Sequence, residues 1–486
     1  MSSTRKQSRS LAVVLLAAGK GNRMKSARPK VLQKVCGRPS LWHALQAAAA
    51  ARPDSIVTVV HHGREQVEEA IRSWGVKPEP EFVEQGQPLG TGHAVLVTEQ
   101  ATGGFDEVLV MAADQPLVSA DHVRTLLRTH RRTKSAATIM TTRLEDPRGY
   151  GRIVRDGDRL AEIAEETDAS RDVKRISEVA VLVYAFRRDD LFKALPLVGR
   201  DNRQREYYLQ DVFPILQDKG ERVSVVGVDL GGSVGINSRK EKAEAERLMR
   251  RGIIERHMAA GVSFIDPATT YVESGVRIGR DAVIRPMTFL EGATSIGAGA
   301  SIGPATRIVD SVVADDVEVM FSVVRESKIG RGAAIGPYAS IRPGTVVGEH
   351  AKVGSFVEIK NSRIGKGAKV PHLSYVGDAD IGAGANIGAA TVTVNYDGFE
   401  KHRTVVGEDA RVGSDTMLVA PVKVGKGAFT GAGSVITRDV PPGALAVERS
   451  EQRVVEGYAK RKRARYEAKR QREAATEKEP KGRTKK

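Results

Sequence analysis

Cysteine is all but missing: Cys36 is the only one in 486 residues, which rules out a disulfide within the chain and points to a reducing compartment. Long apolar runs are missing too. Nothing approaches the roughly eighteen consecutive apolar residues of a membrane span, and the N-terminal MSSTRKQSRS with the LAVVLLAAG behind it has no small-residue cleavage site. LAVVLLAAG reads instead as a buried parallel strand that enters a glycine-rich turn. These absences predict a soluble cytoplasmic protein. A length of 486 residues with 41% hydrophobic content predicts two or three domains with real cores. Negative charge is short, 60 Asp and Glu against 76 Lys and Arg, but the excess is uneven. Residues 457–486 carry 13 Lys or Arg against 4 Glu, more than half of the net +16. That tail is nearly free of aliphatics and reads as a solvated helix that frays into disorder; a polyanion-binding tail is the alternative.

What is present in quantity is a period of six. From Val276 to Ile436 an aliphatic residue returns at every sixth position, as in Ile278, Ile284, Leu290, Ile296, Ile302 and Ile308. Further registers run Ile329, Ile335, Ile341, Val347, Val353, Ile359, and Val406, Val412, Leu418, Val424, Thr430, Ile436. Six suits neither a helix nor an ordinary strand. It suits a hexapeptide parallel β-helix, in which three short strands make one triangular coil, and the glycine after many of these residues is expected to allow the corner.

The first half reads differently. LAVVLL, SIVTVV, EVLVMA, SAATIM and RVSVVGV are strand candidates, separated by helix-like segments such as REQVEEAIRSW and HVRTLLRTHRR. That alternation predicts an α/β domain with a mostly parallel sheet, whose sites form at the carboxyl ends of the strands. The first such end, LAAGKGNRMKSARPK, brings glycines 19 and 21 together with Lys20, Arg23 and Lys30, a combination suited to phosphate. In MAADQPLV an aspartate, Asp114, ends a buried strand, where a carboxylate suits a Mg²⁺ shared with substrate phosphates; a turn cap before Pro116 is the bland alternative.

Taken together, LAAGKGNRM, PKVL, Q-x4-GTGHA, D-x-PL, GYGRI, EYYLQD and GINSR resemble the sugar-1-phosphate nucleotidyltransferases, a Rossmann-like fold. With the hexapeptide half attached, residues 11–458 resemble the bifunctional N-acetylglucosamine-1-phosphate uridylyltransferase and glucosamine-1-phosphate acetyltransferase family. The resemblance implies that Leu16, Ala17, Ala18, Gly19, Gln85, Gly90, Thr91, Ala112 and Ala113 hold the nucleotide of UTP. It implies that Arg23 and Lys30 carry the triphosphate, that Asp114 and Asn237 bind Mg²⁺, and that Gly151, Glu165 and Ala180 meet the sugar. The sugar side departs from the family pattern: Ala113 stands for Gly, Thr167 for Lys, and Ala180-Val181-Leu182 for Asn-Thr-Gly. A site that lacks one hydrogen-bonding group loses about 1 to 3 kcal/mol for that substrate. Two readings of the first half stay open, a uridylyltransferase and a fold with lost or altered specificity.

In the repeat half the departures from six fall at KVPHLSYVGD and VNYDGFEKHR. His372 lies in the first and falls on the family's acid/base histidine; the chemistry needs a group to take a proton from the amine that attacks acetyl-CoA. The resemblance gives Arg342 and Lys360 to the sugar phosphate, and Tyr375, Asn386 and Lys401 to the acceptor. It gives Ala389, Asn395, Tyr396, Ser414, Ala432 and Arg449 to acetyl-CoA, and implies a left-handed β-helix assembled as a homotrimer. The expected organisation is a disordered 1–10, a nucleotidyltransferase domain 11–237, a linker helix 238–261, a β-helix acetyltransferase domain 262–456 and a basic tail 457–486.

Overall fold

The computed structural model describes residues 9–157, 159–231 and 235–477. The chain falls into two compact units, one up to Asn361 and one from Ser362 onward. Of the N-terminal stretch expected to be disordered, residues 1–8 lie outside the described residues, but Arg9 and Ser10 are held. The Ser10 amide and hydroxyl donate to Asp106 Oδ2 at 2.8 and 2.9 Å, and Arg9 pairs with Glu107 at 3.3 Å.

The first unit opens with a twisted sheet. Its main strands are β1 (Leu11–Leu16), β2 (Ser55–Val60), β3 (Glu81–Glu84), β4 (Glu107–Ala112), β5 (Ala137–Arg143), β6 (Glu178–Arg187) and β7 (Val223–Gly227). They lie in the order β7-β5-β6-β4-β1-β2-β3, all parallel except β6, which runs antiparallel to both neighbours. A hairpin, Arg152–Asp156 with Arg159–Ala164, pairs with the first part of β6 through Arg152 and Val179. Both faces are covered, so β1 is apolar at every position: Val13 and Leu15 enter one core, Val14 the other. The sequence reading anticipated β1, β2, β4, β5 and β7 but neither β3 nor β6, the longest strand.

Helix Arg239–Ala259 follows, its start fixed by a capping box in which Ser238 and Glu241 bond each other's backbone. The architecture changes here, yet the first coils stay tied to the sheet layer. The Ser274 amide and hydroxyl both donate to the Cys36 carbonyl at 3.0 Å, and the Cys36 amide donates to Glu246 Oε1 at 2.9 Å. Arg250 lies 4.1 Å from the Tyr271 ring centre. These contacts explain why the first unit runs on to Asn361 rather than stopping at the helix.

Most coils follow the six-residue rule, while those between Ile296 and Ile341 are one or two residues short and still stack aliphatic on aliphatic. In one face Leu290 pairs with Ile308, Ile308 with Val324, Val324 with Ile341 and Ile341 with Ile359, each of them fully buried. In another, Ile296, Val313, Ile329 and Val347 make the same ladder. The glycine after these residues serves a different purpose from the one expected. Gly297 is not in the left-handed region; a Cβ there would lie 2.4 Å from the Ala314 carbonyl carbon, so its small size lets one coil settle on the next. The positive-φ corners are taken by residues such as Asp281, Asp316 and His350.

The second unit repeats the arrangement. One ladder runs Lys369–His372, Asn386–Ile387, Arg411–Val412, Phe429–Thr430, Leu445–Ala446; another runs Tyr375–Gly377, Val392–Val394, Met417–Val419, Val435–Ile436. A third runs Arg363–Ile364, Ala379–Ile381, Thr404–Val406, Val422–Val424. The tail, expected to fray, is helical over Tyr458–Glu477, in keeping with its Ala, Arg, Lys and Glu content. Residues 478–486 lie outside the described residues.

One buried group gives the fold a pH dependence. His130 is fully buried on helix Ala120–Thr133, with Nδ1 3.0 Å from Thr138 Oγ1 and Nε2 lacking a partner among the described residues. Burial, outweighing the attraction of Glu107, lowers its pKa from 6.5 to about 4. The unfolded chain therefore binds this proton first. Stability is expected to be full above pH 6.5 and to fall by about 3 kcal/mol as pH drops toward 4. Urea unfolding of His130→Gln beside the parent, at pH 7 and pH 5, checks this: the parent should lose more between the two.

Candidate functional sites

Strand order places the first site. The chain runs outward from β1 to β3 and returns to β4 on the other side of β1, and crevices form at the carboxyl ends of strands beside such a reversal. A cavity of about 740 Å³ opens there. It receives Leu16, Ala18 and Gly19 from the end of β1 and the turn after it, His61 and His62 from beyond β2, and Ala112 and Asp114 from the end of β4 and the turn after it. Gly21 has φ +64, and a Cβ on it would sit 2.6 Å from Lys30 Cβ, so glycine lets the turn close over the lysine stem.

Lys30 is the hub of the polar end. Its ammonium donates to Asp114 Oδ2 at 2.5 Å and to Asn237 Oδ1 at 3.0 Å, bringing together residues up to 207 positions apart. The Ile236 amide donates to the Asp114 carbonyl at 2.9 Å. Glu241 of the capping box accepts from the Asn237 amide at 2.5 Å, so the start of the long helix sets where the amide oxygen points. One carboxylate and one amide oxygen thus converge on a single cationic point. This donor set fits Mg²⁺, which takes one or two protein oxygens and keeps the rest of its shell for phosphates and water.

Most of the expected first-site residues line this cavity: Leu16, Ala18, Gly19, Lys30, Gln85, Gly90, Thr91, Ala112, Asp114, Gly151, Glu165, Ala180 and Asn237. Three do not. Ala17 and Ala113 are turned into the core beneath it, with the Ala17 amide on the Val59 carbonyl and the Ala113 amide on the Leu16 carbonyl. Arg23 is exposed in the short turn Asn22–Met24 and is not part of the cavity wall. Of the altered sugar-side residues, Ala180 and Leu182 face the cavity with Tyr184, while Val181 is buried in the core. The pleat of β6 explains this split, and a register shift between Val181 and Tyr184 marks an irregularity there.

Sequence reading missed the support of this wall. Arg152 is wholly buried and donates to Glu166 Oε2 at 2.7 Å and to the Tyr150 carbonyl, while Glu166 also accepts from the Gly149 amide at 3.1 Å. The GYGRI motif carried the signal, since its arginine is the clamp on its own glycine turn. Gln210 donates to Glu165 Oε1 at 2.5 Å. Burial pushes the Glu165 carboxyl up, with Asp168 and Glu206 adding to it; burial and the same neighbourhood bring Asp211 up to about 6.

Of the residues expected for acetyl transfer, some fall in the first unit and some in the second. In the first, the pairing of Ser340 with Glu358 and Ile341 with Ile359 continues to put Arg342 level with Lys360, about 4.8 Å apart along the ladder. Arg342 also holds Glu358 at 2.6 Å. Two cations side by side suit a phosphate. In the second, His372 is exposed at the end of Lys369–His372, Tyr375 begins the next strand, and Asn386 pairs with Lys369 in the adjacent coil. Asn395 is nearly buried and donates to Asp378 Oδ2 at 2.5 Å. It opens the loop containing Tyr396 and Lys401, closed by the His402 amide on the Asn395 carbonyl at 2.9 Å. Asp397 stiffens that loop, accepting from the Phe399 and Glu400 amides and from His402, which holds its carboxyl far below the usual range. Ala389, Ser414, Ala432 and Arg449 are on coil corners and surfaces, with Arg449 donating to the Ala432 carbonyl at 3.4 Å.

Residues 13–212 match the family described as MobA-like NTP transferase domain, and residues 268–353 and 323–426 match the GMPPB C-terminal domain. A Streptomyces avermitilis protein named "Bifunctional protein GlmU" is 47% identical over 460 residues, 94% of this chain and 95% of that protein. Proteins of the same name from Mycobacterium tuberculosis and Alkaliphilus metalliredigens are 46% identical (93% of this chain, 92% of theirs) and 43% identical (93% and 98%). With a Rossmann-like layer leading into a hexapeptide β-helix and likeness of this extent, the chain belongs to the bifunctional GlmU family.

Proposed function

We propose that the first cavity joins UTP to N-acetylglucosamine 1-phosphate and that the coil half acetylates glucosamine 1-phosphate from acetyl-CoA. The observation that carries the first assignment is the convergence of Lys30, Asp114 and Asn237 at the open end of the sheet. Lys30 and Lys20 offset the charge of the triphosphate, and the Arg152 clamp holds the wall that meets the sugar. Mg²⁺, held by Asp114 and Asn237, would supply charge neutralisation for the departing pyrophosphate. In the coil half Arg342 and Lys360 take the sugar phosphate, and exposed His372 takes a proton from the attacking amine. Tyr375, Asn386 and Lys401 orient that amine, while Asn395, Tyr396, Ser414, Ala389, Ala432 and Arg449 receive acetyl-CoA.

The assembly we infer is a homotrimer. Its support is a ridge of exposed rings along one corner of the first unit, where Phe321, Tyr338 and Phe356 follow one another with centres 5.6 and 5.3 Å apart. A solvent-facing aromatic file of this kind marks a contact surface. No described helix is long and apolar enough to cross a membrane. Pyrophosphate release from UTP and N-acetylglucosamine 1-phosphate, thiol release from acetyl-CoA and glucosamine 1-phosphate, and light scattering test the three parts. Silence in either assay removes that activity, and a monomeric mass removes the trimer.

A further inference from the structure

The two ends of the first cavity carry opposite charge. Lys20 and Lys30 are the only Lys or Arg residues on its described wall, and Lys30 lies against Asp114 and Asn237, the proposed Mg²⁺ ligands. The sugar wall presents Glu165 and Glu206, with Asp168 and Asp211 behind them and, among the described residues, no Lys or Arg lining it. The nearest guanidinium with any pull on Glu165, Arg152, is committed to Glu166. Between the carboxylates the wall is Ala180 and Leu182, whose side chains neither donate nor accept a hydrogen bond.

We infer that this cavity also accepts an unacetylated amino-sugar 1-phosphate, a zwitterion whose phosphate meets the lysine end and whose ammonium meets Glu165 and Glu206. The inference rests on the uridylyl-transfer reading of the cavity and names a further substrate class for it. An amide group set against Ala180 and Leu182 loses its water without gaining a partner, whereas an ammonium among carboxylates gains charge-assisted bonds. Burial is the main upward pull on Glu165 and Asp211; the neighbouring carboxylates add to it, and a bound cation relieves that added part. In the reaction a phosphate oxygen of the amino sugar forms a bond to the α-phosphorus of UTP. The bond from that phosphorus to the bridging oxygen breaks, pyrophosphate leaves with the electron pair, and the ammonium keeps its protons. The chain could then transfer the uridylyl group before or after acetylation.

The test is pyrophosphate release by the full chain with UTP and Mg²⁺, comparing glucosamine 1-phosphate with N-acetylglucosamine 1-phosphate and leaving out acetyl-CoA. At pH 7 the amino sugar should reach a kcat/KM within about tenfold of the acetylated one. Its share should fall as pH rises past about 8, where an amine of this kind loses its charge, and as pH drops below about 6, where the Asp211 carboxyl behind that wall protonates. Glu206→Gln should lower the amino-to-acetylated ratio at least about fivefold, the loss of one facing charge. An amino sugar turned over at less than a hundredth of the acetylated rate overturns the inference and leaves uridylyl transfer standing. A ratio indifferent both to pH and to Glu206→Gln also overturns it, and no pyrophosphate from either sugar overturns it together with the reading beneath it.

Discussion

His372→Ala should lower acetyl transfer by about a hundredfold or more, with uridylyl transfer unchanged. The amine of glucosamine 1-phosphate attacks only after it loses a proton, and the exposed imidazole of His372 is placed to receive it. The structure puts His372 at an exposed strand end, not in the interior, so its removal leaves no cavity and breaks no side-chain bond that the coil relies on. The neighbouring Ser374 hydroxyl bonds the His372 carbonyl at 2.7 Å, a contact that alanine keeps. Paired assays of thiol and pyrophosphate release measure both activities on one preparation. Equal loss of both would mean that the substitution acts on folding, and full retention of acetyl transfer would remove His372 from the chemistry.

Asp114→Asn should have the opposite selectivity, lowering uridylyl transfer by about 10²–10³ and leaving acetyl transfer alone. The substitution keeps shape and volume but takes away the one charge that balances Lys30 at 2.5 Å. It also turns the proposed metal site from a carboxylate and an amide into two neutral oxygens, which Mg²⁺ binds far less well. Titrating Mg²⁺ separates the effects: weaker metal binding moves the half-saturating concentration upward, whereas a role confined to holding Lys30 lowers the maximal rate at every concentration. Unchanged turnover across the titration would place the metal elsewhere.

Much of the repeat half could be read along the chain because its ladders depend on a local rule. An aliphatic residue in an unbroken sixfold register meets its counterpart one coil away, so Ile284 on Ile302 and Ile335 on Val353 follow from spacing, whereas Val319, off the register, joins that buried line only in the fold. The first-site motifs were legible for a related reason: tight turns at strand ends need glycine, and phosphate needs lysine nearby. What could not be read was orientation. LAAG and MAAD look alike as exposed strand ends, yet Ala17 and Ala113 point inward while Ala18 and Asp114 point outward. Strand β6 was passed over because EVAVLVYAFR is apolar at most positions and shows no clean alternation; its direction depends on neighbours that precede it in the chain. The clamp of Arg152 on Tyr150 and Glu166 was not read, although GYGRI holds it, because an arginine in a sequence is ordinarily a solvated one.

By itself the amino-acid sequence determined the two architectures, their order, the buried lines of the coils and the residue types at each end of the first cavity, since all of these follow from spacing and side-chain chemistry. Only the tertiary structure decided that Lys30, Asp114 and Asn237 meet at one point, that Arg23 stands apart from them, and that Ala180 and Leu182 but not Val181 form the sugar wall. Those outcomes depend on strand order, on the pleat and irregularity of β6, and on a helix cap more than two hundred residues from the lysine it serves. Such long-range placement is set by how whole layers pack, and no local pattern encodes it.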